Sequence, residues 1–139
     1  TLLRKYYPEL HNITTTPLLC EWDFETTHYV GEVKTYNNPE YPRTSDKYKD
    51  YQIDYAKLEA ASTHAKETNK IPLLVVHFTD KSVLWNLNEV EWESTGTWVK
   101  VNKKGKDYGK ETEMAFQAHL NLKDAKAIRE YTEPITIKQ

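Results

Sequence analysis

Residues 20–36 read Cys20-Glu21-Trp22-Asp23-Phe24-Glu25-Thr26-Thr27-His28-Tyr29-Val30-Gly31-Glu32-Val33-Lys34-Thr35-Tyr36. The segments 19–25 and 28–36 alternate in polarity and are rich in aromatic and β-branched residues, so they are expected to form two strands of a hairpin. Side chains of a strand alternate between faces. Cys20, Trp22 and Phe24 therefore share an apolar face, and Glu21, Asp23 and Glu25 share the other. On the second strand Val30, Glu32, Lys34 and Tyr36 oppose Tyr29, Gly31, Val33 and Thr35. Two registers are open: a turn centred on Thr26-Thr27 sets Asp23 opposite Val30 and Glu21 opposite Glu32, whereas one centred on Thr27-His28 sets Asp23 opposite Glu32. Both gather Asp23, Glu32 and Lys34 on one face, and a one-residue slip would turn charge toward the core.

Opposed carboxylates on neighbouring strands repel, and a neutralising cation is the usual reason such a pair is kept. Oxygen ligands favour Mg2+ or Mn2+, and Mg2+ needs only one or two protein carboxylates when water and phosphate fill its other positions. Asp23 and Glu32 meet that requirement, with Glu21 as a further candidate ligand. Lys34, on the same face, is placed to hold a water or a developing phosphate charge, which suits phosphodiester hydrolysis. The competing reading is a solvated hairpin face on which Lys34 pairs with Glu21 or Glu25, worth less than about 1 kcal/mol.

The rest of the chain supplies a context. Residues 2–10 suggest a short helix ended by Pro8. A polar loop follows the hairpin, and Asp54 is positioned to cap a helix running to about Asn69 with Tyr55, Leu58, Ala61 and Ala65 as its buried stripe. Ile71 to Thr79 is nearly unbroken in apolar character, as expected of a central strand covered on both faces, and residues 83–90 read as its neighbour. Further strands are expected at 97–101 and 115–120, then a helix over 122–131. The fold class is therefore α+β, α/β/α-like, with a mixed central β-sheet flanked by helices. Residues 1–139 form one domain, with a core over about 1–90 and accessory elements over 91–139.

This order of helix, hairpin bearing Asp23 and then Glu32-Val33-Lys34, helix and apolar strand resembles the PD-(D/E)XK, or restriction-endonuclease-like, nuclease superfamily. The resemblance covers roughly residues 1–90; Trp22 stands where the family name has proline. It implies a restriction-endonuclease-like core, metal ligation by Asp23 and Glu32, a catalytic role for Lys34, and hydrolysis of DNA by a metal-activated water with Mg2+ or Mn2+ as cofactor. A member of this kind is a deoxyribonuclease or endonuclease, often a homodimer, and the single Cys20 makes a reducing compartment, the cytoplasm of a bacterial or phage-infected cell, the expected setting. Members also carry a glutamate on the first helix and a Gln or Lys after the hairpin, for which Glu9, Gln52 and Lys57 are the candidates here.

Composition narrows the alternatives. A net charge of -2 and a pI near 6.2 give no overall basic field, so DNA binding is expected to be local. The stretch 100–110 concentrates it, with Lys100, Lys103, Lys104, Lys106 and Lys110 against a single aspartate. The longest purely apolar run is Leu73 to Val76, far short of the ~20 residues needed to span a bilayer, and the N-terminus lacks a charged-then-apolar signal pattern, so neither membrane insertion nor export is expected. One cysteine, Cys20, excludes an internal disulfide and a thiolate zinc site. The histidines show no His-x-x-x-His pair, and His77, in an apolar strand, reads as a satisfied core residue. No nucleophile elbow, phosphate-cradling glycine loop or dinucleotide fingerprint occurs. The remaining alternatives are a non-catalytic nucleic-acid-binding or protein-interaction domain of the same fold and, less favoured because of the helix between the hairpins, an aromatic-rich carbohydrate-binding β domain.

Overall fold

The apolar run after residue 70 forms β5 (Ile71–His77), which is buried on both faces from Pro72 onward. The computed structural model describes residues 2–15, 22–36, 43–47, 50–102 and 111–131. Around β5 the chain builds α1 (Leu2–Tyr6), β1 (Thr14–Thr15), β2 (Phe24–Glu25), β3 (Tyr29–Thr35), β4 (Asp50–Asp54), α2 (Tyr55–Glu67), β6 (Lys81–Asn86), β7 (Thr97–Asn102), β8 (Thr112–Asn121) and β9 (Ala127–Glu130). The fold is mixed α+β and mostly β. A six-stranded sheet has the order β1-β2-β3-β5-β6-β9, and a three-stranded sheet has the order β4-β8-β7. In the larger sheet β3 and β5 are parallel and the other pairs antiparallel, so it is a mixed sheet.

Both faces of the large sheet are covered, by different layers. On one face α1 and the segment after it bring Leu3, Tyr7 and Leu10 onto Phe24, Leu73, Val75 and Leu84. On the other, Leu58 of α2 and Tyr51, Ile53, Ala118 and Leu120 of the small sheet pack on Leu74, Val76, Val83 and Trp85. The strand near 115 is therefore not accessory: with β4 it closes the main core, and the strand near 97 pairs with it at the edge of the small sheet. β4 precedes α2 where a polar loop was expected. Its alternation of exposed Asp50, Gln52 and Asp54 with buried Tyr51 and Ile53 is that of a half-buried strand.

α2 spans the expected region and buries Leu58, Ala61 and Ala65, while Tyr55 is only half-buried. Asp54 occupies the N-cap position without making a cap bond; its carboxylate accepts from the Gln117 amide at 3.3 Å. At the other end Asn69 takes a left-handed φ of 56°. The Lys70 amide donates to the Ala65 carbonyl at 2.7 Å and the Asn69 amide to that of Lys66 at 3.4 Å, a Schellman closure that satisfies the last carbonyls.

The expected helix at 122–131 is instead a 3-10 turn, Leu122–Asp124, followed by β9. The Asn121 side chain accepts from the Lys123 amide at 2.8 Å and tightens the turn, after which Ala127 and Ile128 pair with Leu84 and Val83. Pairing with the open edge of β6 outweighs a local helix preference of a few tenths of a kcal/mol per residue. His77 departs from expectation in a different way: it is buried, but neither ring nitrogen has a hydrogen-bond partner among the described residues.

Candidate functional site

The hairpin register is Phe24 opposite Gly31 and Glu25 opposite Val30, the one centred on Thr27-His28. Thr26 closes the turn, its hydroxyl accepting from the amides of His28 (3.1 Å) and Tyr29 (2.9 Å). Gly31 is required because the Phe24 ring lies across it: a Cβ there would sit 2.2 Å from ring carbons.

Just before β2 the ladder is offset. The Asp23 amide donates to the Gly31 carbonyl at 2.9 Å, and its carboxylate accepts from the Val33 amide at 2.8 Å. Asp23 thus grips β3 on both sides of Glu32. The offset breaks the alternation expected of this strand: Phe24 enters the α1-side core, whereas Trp22 packs with Val30, Ala61 and Ala65 on the α2 side. There the Trp22 ring stacks on His64 at 3.9 Å between centroids. Glu25, on the same side, accepts from Trp22 Nε1 (2.8 Å), His64 Nε2 (2.7 Å) and Lys70 Nζ (2.9 Å). Burial works to raise its pKa, but these three bonds outweigh it and hold the carboxyl below its ordinary range. Glu25 therefore braces the hairpin against α2 and is committed to partners other than Lys34.

Glu32 is 4% exposed, and its Oε1 has no hydrogen-bond partner among the described residues. Burial, then the charge and hydrogen bond of Asp23, push its pKa up to about 8, against the opposing pull of Lys57 and Lys34. Lys57, in the first turn of α2, and Lys34, on β3, are both exposed and make no ion pair among the described residues. Asp23, Glu32, Lys34, Gln52 and Lys57 line one cleft of about 580 Å³ between β3 of the large sheet and the small one. The catalytic candidates therefore come together, with Gln52 supplied by β4 rather than by a helix. Lys57 faces this cleft in spite of the unfavourable position of a cation at a helix N-terminus.

The metal candidates divide. Asp23 and Glu32 are adjacent, but Glu9 lies on the far face of the large sheet, ion-paired to Arg129 at 3.1 Å, and does not line the cleft. Glu21 lies outside the described residues. Among those described, no group of three or more His, Cys, Asp or Glu side chains is arranged to hold a metal. A two-carboxylate set with a buried, unpartnered oxygen nonetheless fits a hard cation whose other positions go to water and phosphate. Of the lysine run, Lys100 is exposed on β7; Lys103, Lys104, Lys106 and Lys110 lie outside the described residues. Sequence reading missed Arg43, Asn102 and Gln117, which also line the cleft. Arg43 lies 5.4 Å from the Tyr36 ring. Nothing in the chain's local pattern marks these residues, because the small sheet delivers two of them from more than sixty positions away. Among the described residues no helix is long and apolar enough to cross a membrane. Comparison with protein-family models, curated proteins and solved structures finds no match to this chain.

Proposed function

We propose that the protein is a metal-dependent nuclease that hydrolyses DNA phosphodiester bonds at the Asp23–Glu32 cleft, with the restriction-endonuclease-like arrangement as its core. The observation that carries this reading is Glu32: a carboxylate buried beside a second carboxylate, with one oxygen unpartnered and two lysines lining the same cleft and favouring its charged form. A purely structural carboxyl group in that position would be paired or replaced, since burial leaves one of its oxygens without a partner and makes its ionisation costly. Asp23 and Glu32 would hold Mg2+ or Mn2+, which when bound neutralises phosphate charge and lowers the pKa of a water. Lys57 favours the ionised form of Glu32. Lys34, exposed at the rim, is available to a phosphate oxygen and to charge developing on the scissile group. Asp23 is held by the Val33 amide, so its second oxygen keeps a fixed direction.

The test is cleavage of single-stranded, duplex and branched DNA with Mg2+ or Mn2+ and with EDTA. Cleavage is expected only with metal, and none is expected from Asp23→Ala or Glu32→Ala. Metal-dependent cleavage that survives both substitutions would remove the activity from this cleft.

A further inference from the structure

Three of the four exposed large apolar side chains among the described residues, Trp98 (67%), Met114 (56%) and Phe116 (38%), lie on one face of the β7–β8 hairpin. Trp98 stands opposite Phe116, and Lys100 opposite Met114. By alternation this is the face that further along β8 carries the buried Ala118 and Leu120, so the hairpin extends a core-type surface past the core. A contiguous patch of this kind marks an interaction site more often than a scattered exposed side chain does.

The rings are set in place before any partner arrives. Ring centroids run from the buried Trp92 to Tyr55 (5.2 Å), from Tyr55 to Phe116 (5.0 Å) and from Phe116 to Trp98 (5.4 Å). Gly96 leaves room for Phe116: a Cβ at that position would come within 2.4 Å of the ring. A pre-positioned aromatic surface loses little conformational entropy on binding, and its outermost member, Trp98, offers an open π face.

Charge and continuity select the partner. At the Tyr55 end burial first, and then the charges of Glu93, Glu59 and Glu91, raise the tyrosine pKa, and these carboxylates would repel phosphate, whereas Lys100 sits at the other end of the patch. Beyond Lys100 the same face of the strand ends in Asn102, which lines the Asp23–Glu32 cleft. Trp98 and Asn102 are about 13 Å apart along the strand. A chain of flat bases on a phosphate backbone, stacked on Trp98 with its backbone on the Lys100 side, would run directly into the cleft. Paired bases have no free face to offer. We therefore propose that Trp98, Phe116 and Met114 form a stacking platform for the unpaired bases of single-stranded DNA, and that this platform feeds the cleft. The substrate class rests on the nuclease reading of the cleft.

The test is anisotropy of a labelled oligodeoxythymidine, and of its duplex with oligodeoxyadenosine, titrated with the full chain in EDTA so that cleavage does not intervene. Wild type is expected to bind the single strand more tightly than the duplex. Trp98→Ala should weaken single-strand binding about tenfold or more while leaving duplex binding and the thermal melt unchanged, and Trp98→Phe should retain most of the affinity. Lys100→Gln should reduce the salt slope by somewhat less than one. Single-strand binding by Trp98→Ala equal to wild type, or equal weakening toward both forms, would overturn the proposal. So would a dimer in light scattering that Trp98→Ala converts to monomer without change in DNA binding, which would assign the face to a second copy. The nuclease reading fails separately: Trp98-dependent binding by a protein that never cleaves would keep the platform and discard the catalytic site.

Discussion

Glu32 and His77 sit on adjacent parallel strands, β3 and β5, and are almost equally buried at 4% and 1% exposure, yet they face opposite sides of the sheet. Glu32 looks into a polar cleft where another carboxylate and two lysines converge. His77 borders a mostly apolar cavity of about 370 Å³ lined by residues such as Leu3, Phe24 and Val33 together with Arg4 and Asp23, and burial is the one cause pushing its pKa down to about 4. Each has a buried atom without a hydrogen-bond partner among the described residues. Burial of a titratable group therefore does not by itself identify a site. Charges arriving from several elements, in a space that a ligand can enter, make the difference.

The sharpest way to break this comparison is kinetic. In a metal-supported cleavage assay, Lys34→Ala is expected to lower kcat by about 10²–10³, as loss of a positioned charge stabiliser does, while metal binding measured by calorimetry persists. Lys57→Ala should mainly weaken the metal, because its charge favours ionised Glu32. A Lys34→Ala enzyme as active as wild type would leave the cleft without its assigned charge stabiliser. His77→Phe should cleave at the wild-type rate.

The next effect concerns stability against pH in EDTA. Glu32 has a folded pKa near 8 against an ordinary 4.5, so its contribution is fully present below about pH 4.5 and is lost as pH rises through about 8. The loss is roughly a few kcal/mol. Glu32→Gln should remove this decline, and melts from pH 5 to 9 will show it; parallel curves for the two proteins would mean that Glu32 is not strained in the absence of metal.

His77 should show the opposite slope. With a folded pKa near 4 against 6.5, its contribution is present above pH 6.5 and is lost as pH falls through about 4. His77→Phe should flatten that acid limb and stabilise the protein at neutral pH by about 1 kcal/mol, since it removes buried nitrogens that lack partners. A destabilised variant would show that the imidazole is held by a bond, such as one to water. The smallest effect is expected at Glu9, on the His77 side of the sheet. Its exposed pair with Arg129 is worth less than about 1 kcal/mol, so Glu9→Gln should shift the melt slightly and leave cleavage and its metal dependence unchanged.

Much of this was legible in the chain itself because it depends on local periodicity. The nearly unbroken apolar run of residues 71–77 is the signature of a strand covered on both sides, and the stripe of Leu58, Ala61 and Ala65 is that of a helix with one buried face. The alternation of residues 29–36 placed Glu32 and Lys34 together on one face of a strand. Tertiary structure decided what periodicity cannot. It chose between the two hairpin registers, since a turn and a Phe24 ring lying over Gly31 allow only one. It moved Trp22 to the α2 face, because Asp23 steps out of the ladder to hold the Val33 amide. It made a strand of residues 127–130, whose partner β6 lies more than forty positions earlier. It also excluded Glu9 and admitted Arg43, Asn102 and Gln117, because the walls of a cleft are set by which layers meet, and that meeting depends on long-range burial that no local window of residues records.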